Sequence, residues 1–153
     1  MTQPVERTQG THFTLGQFGA MPDWKRFQFQ HPVFPVPVRG KHFLQEPLGL
    51  TGMEISLNVL PPGRGMPFLH KHRSNEEVYV FLRGKGQFQI DGQVLEVHEG
   101  SVVRVAPEGS RAWRNHGTEE LVYLVIQAKA ATLTEGTTTD GVEVPGPVVW
   151  PGE

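Results

Sequence analysis

The sequence predicts an all-β protein, a sandwich or small barrel built from short strands and tight turns. Segments that alternate or are rich in β-branched and aromatic residues recur from residue 41 to about 130, each closed by a turn signal. No segment of helical periodicity separates them. The 18 glycines and 13 prolines, beside 20% charged residues, furnish turns rather than long exposed helices.

The elements follow in order. Residues 1–40 form an N-terminal arm: Thr2-Gln3-Pro4 and Gly10-Thr11 are turn-rich, and Phe13, Phe18, Trp24, Phe27, Phe29 and Phe34 follow without clean periodicity. Pro32, Pro35 and Pro37 make His31 to Val38 extended or edge-like. That many aromatics need a surface to cover, either the chain's own barrel or a dimer interface, with the interface slightly favoured.

Residues 41–131 are the expected barrel. Met53 to Leu60 alternates as a strand and Pro61-Pro62-Gly63 ends it. Glu77 to Leu82 is the next strand, closed by Arg83-Gly84. Gln87 to Ile90 and Val94 to Val97 flank Asp91-Gly92, a type I′ hairpin signal. Ser101 to Ala106 lies between the turns Glu99-Gly100 and Pro107-Glu108-Gly109, and Glu120 to Gln127 reads as a long buried strand. Residues 132–153 turn polar, then offer Val148, Val149 and Trp150 as an apolar plug, a tail expected to pack on the barrel.

At 153 residues the chain is most simply one domain with a real core. A net charge of −2 offers no global basic field, so neither nucleic acid nor an anionic membrane is an expected partner. Cysteine is absent, which excludes disulfide and thiolate chemistry and leaves histidine and carboxylate as metal ligands. No apolar stretch approaches transmembrane length and no signal-type segment opens the chain, so a cytoplasmic location is expected.

Chemistry concentrates at His70-Lys71-His72-Arg73-Ser74-Asn75-Glu76-Glu77. On a strand His70 and His72 leave the same face, and Glu77 begins the next strand. Two imidazoles and one carboxylate are then placed to share a divalent transition metal. No nucleophile triad, phosphate-cradling loop or dinucleotide fingerprint stands out.

These residues resemble the cupin superfamily. Its first motif stands here as Gly65, His70, His72, Glu77 and Gly84; its second stands as Gly100, Pro107, Gly109 and Asn115. Where that second motif carries histidine, this chain has Arg111, which offers no lone pair to a metal. The resemblance covers roughly residues 41–130. It implies a double-stranded β-helix or jelly-roll barrel, a homodimer, and a metal held by His70, His72 and Glu77. Iron, manganese, nickel and zinc all suit that set. It further implies an enzyme of dioxygenase-like or isomerase-like type acting on a small, anionic organic molecule held in the barrel. The alternative is a non-catalytic binding module with a degenerate metal site. Arg111 has two readings, a salt bridge to Glu77 or capture of an anionic substrate. His42, His98 and His116 are candidates to replace the missing ligand.

Overall fold

Alternation and turn chemistry resolve into antiparallel ladders. A computed structural model describes residues 4–136 and 138–152. Thr2 and Gln3 of the expected first turn, and Thr137 of the polar tail, lie outside the described residues. The arm contributes β1 (Glu6–Gln9), β2 (Thr14–Gln17), a 3-10 turn at Met21–Arg26, β3 (Gln28–Phe29) and β4 (Val38–Arg39). The barrel follows as β5 (Lys41–Phe43), one helical turn α1 (Gln45–Leu48), β6 (Glu54–Leu60), β7 (Asn75–Arg83), β8 (Lys85–Ile90) and β9 (Gln93–His98). It is completed by β10 (Val102–Val105), β11 (Arg111–Arg114) and β12 (Leu121–Lys129).

Two antiparallel sheets make the barrel, one ordered β10-β7-β12-β6-β5 and the other β11-β8-β9. The period-2 pattern of β7 points Glu77, Tyr79 and Phe81 inward, where Val105, Phe88, Trp113, Tyr123 and Val125 join the aromatics in one core. This is the jelly-roll barrel expected from the sequence. At the β8–β9 hairpin Asp91 and Gly92 both take positive φ, 48° and 80°, as a type I′ turn requires. Gly84 bends the chain out of β7 at φ 87°, and a Cβ there would press on the backbone carbonyl of Glu120. That crowding is the physical reason for glycine at this position.

The opposite face of the larger sheet is covered by the arm. Trp24 and Phe27 are buried against Leu44, Leu57, Val59 and Val122, with Phe18 and Leu48 packed alongside. Between the two surfaces weighed for the arm aromatics, these residues use their own barrel. The short helical turns at Met21–Arg26 and Gln45–Leu48 have no counterpart in the sequence reading, because neither is long enough to set up a periodic apolar stripe. The C-terminal tail departs from its expected packing. Val148, Val149 and Trp150 are 76%, 74% and 62% exposed.

Candidate metal centre

The loop between β6 and β7 delivers the two histidines. His70 is bridged to Arg111 on β11 by a pair of backbone hydrogen bonds, and the His72 amide donates to the Pro107 carbonyl at 3.0 Å. The loop thereby runs alongside β11, and both rings swing toward Glu77 on the facing sheet. Glu77 sits in β7 between Val105 of β10 and Gln127 of β12, so its position is set by two ladders.

One donor atom from each of His70, His72 and Glu77 lies within 4.8 Å of the others. His70 Nε2 is 3.8 Å from Glu77 Oε1, and His72 Nε2 contacts the same oxygen. Burial pushes the His72 imidazole below its usual value, with Glu77 opposing and Arg111 reinforcing the effect. A neutral ring keeps the lone pair that an ion requires. The donor set suits a transition metal in type and spacing. His70 Nδ1 is buried without a protein partner, so the ring lacks the outer hydrogen bond that usually orients a ligating histidine.

Arg111 complicates the set. It is fully buried and all three guanidinium nitrogens donate: Nη2 to Glu77 Oε1 at 2.6 Å, Nη1 to the Gly109 carbonyl at 2.8 Å, and Nε to the Tyr79 hydroxyl at 3.3 Å. The anion-capturing surface expected of Arg111 is therefore not presented to solvent; the salt bridge, its other reading, is present. Burial alone would raise the Glu77 carboxyl, but the His70 and His72 imidazoles and the Arg111 guanidinium override it and hold the group at about 2.

The replacement histidines lie elsewhere. His42 stacks on Phe27 at 4.3 Å, His98 Nδ1 donates to the Glu99 carbonyl at 2.9 Å, and His116 lies 3.4 Å from Glu96. Arg104 pairs with Glu76 and Arg114 donates to Gln87. Phe81, Phe88, Trp113 and Tyr123 are buried core, whereas Phe68 is 37% exposed and stands between His70 and the arm residue Phe34.

Sequence reasoning missed a second polar group on the barrel's inner face. Ser56 and Asn58 on β6 are buried, and Lys41 on β5 reaches both. The alternation of β6, with Ser56 and Asn58 between Ile55, Leu57 and Val59, was the available signal.

Comparison with known proteins now has a geometry to meet. A family model described as a cupin domain matches residues 56–127, the segment holding both motifs. The crystal structure of a cupin protein from Bacteroides fragilis aligns at 39% identity over 77% of this chain and 98% of that one, with a TM-score of 0.67. The chain is a cupin. This cupin also resembles, at 28% identity and a TM-score of 0.57, a presumed sugar phosphate isomerase from Acidithiobacillus ferrooxidans, over 67% of this chain and 66% of that one. An oxalate-binding protein from Thermotoga maritima is 33% identical over 67 residues, 44% of this chain and 54% of that protein. The cupin spans about half the length of the curated relatives it matches. Among its described residues no helix is long and apolar enough to cross a membrane.

Proposed function

We propose that this cupin holds a divalent transition metal on His70, His72 and Glu77 and binds a small anionic organic molecule beside it. The observation carrying the reading is the convergence of two imidazole nitrogens and one carboxylate oxygen within 4.8 Å inside the barrel. Three protein ligands leave coordination positions open, and a bound ion would supply Lewis acidity toward a ligand oxygen there. Arg111, itself fixed by the Tyr79 hydroxyl and the Gly109 carbonyl, holds Glu77 Oε1, so an ion would share that oxygen with a guanidinium. The relatives that bind oxalate or are assigned to sugar phosphates support an anionic ligand class. Dioxygenase-like and isomerase-like reactions both remain within that class of site.

Metal analysis of untagged protein, followed by calorimetric titration of manganese, iron, nickel and zinc, tests the proposal. One ion per chain is expected, with His70→Ala weakening it by at least about 10–100-fold, the cost of losing even an outer-shell partner of a ligand. No binding of any of the four ions would sink the metal centre. A non-catalytic binding module is the second reading, favoured by the 2.6 Å contact through which Arg111 already occupies Glu77 Oε1.

A homodimer accompanies the proposal. Val33, Val36, Val148, Val149 and Trp150 are each at least 62% exposed, and a second copy would remove apolar surface of this kind from water. Light scattering is expected to give twice the 17.1 kDa chain mass, and a monomer after truncation at residue 146 would locate the contact in the tail.

A further inference from the structure

The inner face of β5 and β6 carries a cation that the metal centre does not use. Lys41 Nζ donates to Ser56 Oγ at 3.2 Å and to Asn58 Oδ1 at 2.9 Å, and lies 4.7 Å from the centre of the Phe43 ring. Asn58 is itself fixed, its amide donating to the Ser56 carbonyl and hydroxyl at 2.9 Å each. An ammonium has three N–H groups, and these contacts use two. Among the described residues Lys41 forms no salt bridge. The nearby Glu54 carboxylate is turned away, its Oε1 accepting the backbone amides of Leu44, Gln45 and Ile55.

Lys41 shares the interior with the metal centre. In the ladders Lys41 pairs with Asn58 and Phe43 with Ser56, while Glu54, Gln127 and Glu77 form one row across β6, β12 and β7. Side chains alternate across a sheet, so Lys41, Ser56, Asn58 and Glu77 leave the same face. Burial lowers the lysine toward about 8, against the pull of Glu77 and Glu54, so the fold bears the desolvation of a positive charge at neutral pH. A methionine of similar reach would fill the space without that cost. The N–H that neither Ser56 nor Asn58 accepts, on a charge that no carboxylate touches among the described residues, is what an oxyanion would satisfy.

We infer that Lys41, positioned by Ser56 and Asn58, is the subsite that takes the anionic group, carboxylate or phosphate, of the ligand held in this barrel. The role that Arg111 cannot fill from its sealed position falls to a lysine on the other side of the interior. The inference rests on the proposed metal centre only for where the rest of the ligand lies, and the two fail separately.

The experiment is calorimetric titration of oxalate, malonate and inorganic phosphate into the full chain, with the metal removed and again with manganese bound. Wild type is expected to bind at least one of the three. Lys41→Met and Lys41→Gln should each weaken that anion about tenfold or more, the scale of one charge-assisted hydrogen bond. Ser56→Ala should weaken it by less, and manganese affinity should stay within about twofold in all three variants. Preference for phosphate over the two dicarboxylates, or the reverse, identifies the anionic group. If manganese does not bind but anion binding still depends on Lys41, the metal centre falls and the subsite stands. Anion affinity unchanged in folded Lys41→Met and Lys41→Gln, or no binding of any probe by wild type, would overturn it. So would an equal loss of manganese affinity in the lysine variants.

Discussion

Arg111→Met is expected to destabilise the metal-free protein by about 3–5 kcal/mol, the range for removing one partner of a buried ion pair. Methionine matches the length of the stem but leaves the Glu77 carboxylate, the Gly109 carbonyl and the Tyr79 hydroxyl without their donor. For a chain of this size each kcal/mol moves Tm by roughly 2–4 °C, so a fall of about 10 °C is expected by calorimetry in EDTA. Metal binding should change in the opposite direction. With the competing cation gone from Oε1, manganese or nickel should bind Arg111→Met more tightly than wild type and recover much of the lost Tm. A variant as stable as wild type without metal would show that the pair carries no structural load. A variant that binds metal more weakly would show that Arg111 assists the ion rather than competing with it.

Glu77→Gln is expected to abolish high-affinity metal binding and to change the acid limb of stability. Among the three candidate ligands Glu77 alone carries a negative charge, and it is buried at 4% exposure. Its amide replacement leaves two imidazole rings and no carboxylate facing the buried cation of Arg111, a setting that repels a divalent ion. The linkage has a definite sign. Because the folded carboxyl lies near 2 rather than the ordinary 4.5, its stabilisation is complete above about pH 4.5 and is lost as the pH falls toward 2. The contribution is roughly 3 kcal/mol at neutral pH. Urea unfolding of wild type between pH 6 and 2.5 should show that loss. In Glu77→Gln the curve should be flatter over the same interval, starting from lower stability at pH 6 because Arg111 is then unpaired. Parallel curves for the two proteins would remove Glu77 from the acid limb.

Much of the barrel was legible because its signals are local. β7, the β8–β9 hairpin and β12 announce themselves through β-branched runs and the Asp91-Gly92 turn, and their observed bounds differ from the expected ones by a few residues at the ends. The first motif was legible as a ligand set because side chains two apart and a following strand need only the period of a strand to converge. Other features depend on what a segment meets. The arm aromatics read as packing for the chain's own barrel or, slightly favoured, for a partner, and only the outer sheet face around Leu57 and Val59 distinguishes Trp24 and Phe27 as self-packing. The tail was expected to fold back on the strength of Val148, Val149 and Trp150, yet a short apolar run says nothing about whether a free face exists to receive it.

By itself, then, the sequence determined an all-β barrel and the two histidines and carboxylate that converge in it, because alternation, turn chemistry and ligand spacing are properties of neighbouring residues. Tertiary structure alone decided what Arg111 and Lys41 do with their charges. Arg111 and Glu77 are 34 positions apart, yet their 2.6 Å contact seals the arginine inside. Lys41 meets Ser56 and Asn58 only through the pairing of β5 with β6, which leaves its ammonium facing the interior with no carboxylate in contact among the described residues. A charged side chain's role is set by the partners that remove its hydration, and those partners come from ladders closed between distant strands.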